Sequence, residues 1–166
     1  MDTRELAMLG ADIAAQRVTI DRVFAMLLQR SQNISPENLE KMESSAYQLH
    51  NFYGAVEELL KIVANYFENN VSDAAQWHSL LLKRMMQPVQ GVRPALLSTE
   101  TYDLLNALRA FRHFFRHAYG IPLDFWQLTS NLNKAVEVKP LLDRDFGEFL
   151  QIISDRNING EQSYWL

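Results

Sequence analysis

Apolar residues recur every three to four positions along most of the chain, and no stretch alternates apolar with polar as a half-buried strand does. That period confines the fold to packed helices, so the fold class expected is all-α. From about Thr3 to Arg30 the stripe runs through Leu6, Leu9, Ile13, Ile20, Phe24 and Leu27. Ser35-Pro36-Glu37-Asn38 reads as the next helix start, with Ser35 as cap, Pro36 in the first turn and Glu37 at the positive end. This second helix is expected to reach about Asn69, interrupted only by Gly54. Asn69-Asn70 and Ser72-Asp73 end it and cap a third, from about Ala74 to Met86. "QPVQGVRPALLS" is a loop by its prolines and glycine. Ser98-Thr99-Glu100 opens a fourth helix that reaches Tyr119, where Gly120 and Pro122 stop it. Two further segments follow, one from Pro122 to about Lys139 and one from Pro140 to Ser154. The expectation is an antiparallel bundle of four to five helices with short extra C-terminal helices. It forms one domain, residues 1–156, with 157–166 as a C-terminal tail.

With 166 residues, 48% of them apolar, the chain can bury a real core. It has no cysteine, which removes disulfides, thiolate zinc sites and a cysteine nucleophile from consideration. No apolar run approaches the ~20 residues that span a bilayer. The start, "MDTRELAMLG", lacks the basic and apolar blocks of a signal peptide, so a cytoplasmic location is expected. A net charge of -4 argues against a protein that coats nucleic acid indiscriminately. The charge is segregated, however. Acids concentrate in residues 37–73 and 143–161, whereas residues 83–117 are rich in Lys and Arg and hold only Glu100 and Asp103 as acids.

Within that basic region lies "FRHFFRHAY", residues 111–119. At about 100° per residue, Arg109, Arg112, His113, Arg116 and His117 fall within an arc of about 140°. Leu104, Leu108, Phe111, Phe114, Phe115 and Ala118 fill the opposite side. Like charges three and four residues apart repel, and no acid in the window offsets them. The face therefore calls for an anion, supplied by acids elsewhere in the fold or by phosphates. His113 and His117 have i,i+4 metal-ligand spacing, but "HFFRH" lacks the Glu of a catalytic H-E-x-x-H helix and no third ligand stands nearby, so no metal is assigned.

Arg112, four residues, His117, one residue and Tyr119 spell R-x4-H-x-Y at the end of a late helix. This motif resembles that of the HEPN superfamily, and within it the HepT-like toxins. "WHSLLLKRM" followed by "GVRPALLS" is similar to HepT-related proteins as well, and the resemblance covers about residues 3–153. It implies a toxin of a toxin–antitoxin pair: a metal-independent endoribonuclease, working as a homodimer without a cofactor. Arg112 and His117 would be catalytic, and Arg109, His113 and Arg116 would support RNA binding. It also implies a cognate antitoxin, an MNT-type nucleotidyltransferase that silences the toxin by adenylylating Tyr119. Where members of the family often carry a polar residue such as Asn after the motif Arg, this chain has His113. tRNA is the expected substrate, ahead of mRNA.

The residue chemistry agrees. Attack of a ribose 2'-OH on the adjacent phosphate needs a base, an acid for the leaving 5'-oxygen, and a cation at the phosphorane oxygens. Imidazole titrates near neutrality and guanidinium grips two phosphate oxygens. Arg112 and His117 lie about 140° apart around the helix and about 7.5 Å along it, so one helix makes a poor complete site and two copies facing across a two-fold axis a better one. Tyr119 projects to nearly the same side as Arg112, so a nucleotide attached there would block the groove by charge and bulk. Tyr47, His50, Asn51, Tyr53 and Glu57 form a polar stripe on the second helix that can face and orient the basic helix. Trp77, His78, Arg84 and Arg93 would extend an RNA track. Two other readings stand beside the ribonuclease: a non-catalytic helical module whose basic face binds an acidic partner, and a substrate-binding subunit of a nucleotidyltransferase.

Overall fold

A computed structural model describes residues 2–68, 77–117 and 120–162. Five helices make up these residues: α1 Thr3–Ser31, α2 Leu39–Glu68, α3 Trp77–Met86, α4 Thr99–His117 and α5 Phe125–Gln162. The class is all-α. The capping signals act locally. Asp2 caps α1 in a reciprocal capping box, its carboxylate accepting from the Glu5 amide at 2.7 Å while Glu5 accepts from the Asp2 amide at 3.0 Å. The cap of α2 is Asn38 and not Ser35. Ser35, Pro36 and Glu37 fold into a turn closed by the Asn38 amide on the Ser35 carbonyl at 3.1 Å, and the Asn38 side chain then accepts from the Lys41 amide at 3.0 Å. Gly54 leaves α2 unbroken.

α1 and α2 form an antiparallel hairpin, whose register three contacts fix. Ser45 Oγ donates to the Arg30 carbonyl at 3.2 Å, Gln16 to the Ala55 carbonyl at 2.8 Å, and Tyr66 to Asp12 at 2.7 Å. α4 packs antiparallel to α2, with Arg112 opposite Glu57 and Phe115 beside His50. α5 closes the bundle against α4, α2 and α1. The core between them is largely apolar, with Leu9, Ile13, Phe52, Leu59, Leu105 and Phe146 each no more than 2% exposed.

At the C-terminal end, one 38-residue helix stands where two segments were expected. Pro140 lies inside it. Leu128, Leu132, Ala135, Val138, Leu142, Phe146, Phe149 and Ile153 are buried at three- and four-residue intervals straight through the proline. Val136, whose carbonyl loses its donor there, is 50% exposed, so solvent can supply the missing bond. The helix continues to Gln162, past the end expected at Ser154.

The α3–α4 loop is organised by one side chain. Arg93 is fully buried; its Nη2 and Nε donate to Glu68 Oε1 at 2.7 and 3.0 Å. It also donates to the carbonyls of Arg84, Gln87 and Pro94 at 2.9–3.1 Å, which ties the end of α3 to the loop that follows. Gly91, at φ 75°, allows the tight turn that brings Arg93 back to Val89.

Candidate functional site

α4 separates its residues as its 3.6-residue period requires. Thr101, Leu105, Leu108 and Phe111 are buried, while His113, Arg116 and His117 are exposed and Arg109 and Arg112 sit at the half-buried margin. The ring centroids of His113 and His117 are 4.6 Å apart, so two imidazoles share one patch of surface. Among the described residues, no carboxylate pairs with Arg109, His113, Arg116 or His117. Arg109 instead donates to Asn106, one turn back, at 3.1 Å.

Arg112 is held differently. Its Nη1 donates to Glu57 Oε2 at 3.1 Å, and its guanidinium carbon lies 5.5 Å from the centroid of the Tyr53 ring. Glu57 is only 3% exposed at its side chain and Arg112 17%. Lys61 approaches the other carboxylate oxygen at 3.6 Å. The acid that the basic helix lacks in its own window therefore comes from α2, 55 positions earlier. The polar stripe expected to face the basic helix does so through His50, Tyr53 and Glu57; Tyr47 is 56% exposed.

His50 packs beside Phe115, ring centroids 6.2 Å apart. Burial first, then the positive charges of Arg112 and Arg116, hold its pKa below the ordinary imidazole value, against a smaller opposing effect of Glu57. Burial and the neighbouring Glu57 push the Tyr53 phenol well above its ordinary value, so it stays a neutral hydroxyl. Three buried atoms here have no hydrogen-bond partner among the described residues: His50 Nδ1, Tyr53 Oη and Arg112 Nε.

Arg93 does not extend the track: it is enclosed in the loop latch, whereas Arg84 pairs with Glu68 with 53% of its side chain exposed. Burial of Arg93 had no sequence signal, since its acid lies 25 positions away. The side chains of Trp77 and His78, and Tyr119 entirely, lie outside the described residues. Leu39, Glu43, Phe115 and residues 120–123 line a groove of about 510 Å³ beside the end of α4.

No helix of the described residues is long and apolar enough to cross a membrane. No curated protein and no solved structure matches the chain. A family does: HepT-like proteins, over residues 44–153, a span from the first turns of α2 to the buried part of α5 that takes in Glu57, Arg112 and His117. With the match covering well over half of its length, this all-helical chain belongs to the HepT-like family of the HEPN superfamily.

Proposed function

We propose that this protein is a metal-independent endoribonuclease, the cytoplasmic toxin of a toxin–antitoxin pair, which acts on tRNA as a homodimer. The observation that carries the proposal is the exposed strip of His113, Arg116 and His117, which has no carboxylate partner among the described residues and runs beside an Arg112 held in place from behind. Such a strip attracts phosphate, and its imidazoles supply proton transfer where the phosphate docks. In the reaction, the 2'-OH loses its proton to a base and its oxygen attacks phosphorus. The bond to the 5'-oxygen then breaks, and an acid protonates that oxygen. Arg112 neutralises the phosphorane oxygens, and His117 handles a proton. His113, 4.6 Å from His117, and the guanidinium groups of Arg109 and Arg116 support RNA binding. The products are a 2',3'-cyclic phosphate and a 5'-OH. DNA, which lacks the nucleophile, is not cut. Control comes from an MNT-type nucleotidyltransferase that adds AMP to Tyr119, placing negative charge beside the cations that bind substrate.

The purified protein, incubated with total tRNA in EDTA, is expected to yield these termini. Arg112→Ala and His117→Ala should each stay folded and lose about 10²–10³-fold in rate. Tyr119→Phe should keep activity and gain no AMP mass from the nucleotidyltransferase with ATP and Mg²⁺. Tight RNA or partner binding without cleavage, unchanged by His117→Ala, would favour the non-catalytic module instead.

A further inference from the structure

We infer that Glu57 is a positioning residue for Arg112, and that α2 forms the inner wall of the site. The inference rests on the ribonuclease reading and adds to it a residue outside the R-x4-H-x-Y motif. Its basis is a contrast between two arginines. Arg93, which serves the fold, donates to one carboxylate oxygen and three carbonyls and is fully buried. Among the described residues, Arg112 donates from Nη1 to Glu57. Its Nε is buried without an acceptor among them. An arginine that only joins two helices uses its donors on the protein. Arg112, gripped at one amino group and with 17% of its side chain exposed, keeps part of that side chain within reach of a phosphate.

The grip itself is rigid. Tyr53 and Glu57 are four residues apart and so lie on one face of α2, placing the ring and the carboxylate against the same guanidinium. Tyr53 is 1% exposed and cannot swing away. The carboxylate is held at both oxygens, Oε2 by Arg112 and Oε1 by Lys61. Without Glu57 the guanidinium would sample solvent rotamers, repelled by Arg109 and Arg116 on its own helix. With it, the cation waits in one place, and the entropy of fixing it is met during folding and not in the transition state.

The test uses the full chain, tRNA and EDTA. Glu57→Gln keeps an acceptor but loses the charge. In folded protein, checked by circular dichroism, kcat should fall on the order of 10–100-fold with KM changing less. Free guanidinium, below unfolding concentrations, should restore part of the activity of Arg112→Ala, because Tyr53 and Glu57 still offer a seat for it. It should not restore Arg112→Ala/Glu57→Gln. Should Glu57→Gln fail to fold, Glu57→Asp keeps the charge but withdraws it by one methylene, and kcat should fall there too. A folded Glu57 variant with wild-type kcat, or equal rescue in the single and double variants, overturns the positioning role while leaving the ribonuclease intact. If Arg112→Ala itself cuts at the wild-type rate, the catalytic assignment of Arg112 falls, and this inference with it.

Discussion

His50 shows how much of the site's behaviour is set by side chains that carry no motif. It lies on α2 among Phe115, Arg112, Arg116 and Glu57, half buried, with its Nδ1 unpartnered among the described residues. Its pKa is lowered, by burial first and by the two arginines next. In the unfolded chain the imidazole regains its ordinary value near 6.5. The unfolded state therefore binds the proton more readily, and protonation favours unfolding. Stability from this residue is complete above about pH 6.5 and is lost as pH falls through the lower folded value. Urea midpoints measured from pH 8 to pH 5 should fall more steeply for the wild type than for His50→Gln, which cannot take the proton. Parallel curves would mean that His50 is as easily protonated in the folded protein as in the unfolded chain. Arg112 gains too, because a neutral His50 adds no third positive charge beside it.

At the scale of elements, periodicity was the trustworthy signal and punctuation the weaker one. The stripe residues Leu9, Ile13, Ile20 and Leu27 are buried on α1, and Leu108 and Phe111 on α4, where Leu105 is buried and the expected Leu104, Phe114 and Phe115 are half-buried; Gly120, at φ 76°, stands past the described end of α4. Proline removes a donor and crowds the preceding turn, so a boundary is expected at Pro140. Yet Ala135, Val138, Leu142 and Phe146 keep helical spacing across it, and a long buried stripe outweighs one lost bond on the exposed side. Ser35, followed by proline, is the expected cap of α2, but Ser35, Pro36 and Glu37 form a turn and Asn38 caps the helix. Replacing Pro140 with Ala restores the donor for the Val136 carbonyl and removes the crowding. The Pro140→Ala variant should be more stable by about 1–3 kcal/mol in urea unfolding, with unchanged helix content by circular dichroism. A loss of stability would mean that a bend at Pro140 is needed for α5 to meet both α4 and α1. What no element pattern could reveal was the pairing of Arg112 with Glu57 and of Arg93 with Glu68. Their separations, 55 and 25 positions, are closed only by the packing of whole helices.

At the scale of the molecule, the two proposed catalytic groups face different ways. Arg112 leans from α4 onto α2, with 17% of its side chain exposed, whereas His117 is on the exposed side of the strip near the helix end. Five helical positions put them about 140° and about 7.5 Å apart, too divergent for one phosphate to meet both on a single chain. A two-fold axis across the strip cures this, because each copy then offers Arg112 to the His117 of the other. The consequence is measurable with two inactive proteins. Arg112→Ala and His117→Ala chains, mixed equally and allowed to exchange, form mixed dimers in half of the population. Each mixed dimer has one intact site, with Arg112 from one copy and His117 from the other, and one doubly defective site. Activity should recover to about a quarter of the wild-type level, the most that random pairing under two-fold symmetry permits. Light scattering and native mass spectrometry establish that mixed dimers form. If they form and the mixture stays as inactive as its parents, each chain carries its own complete site. If the wild type cuts RNA at full rate as a monomer, the shared groove is not where the chemistry takes place.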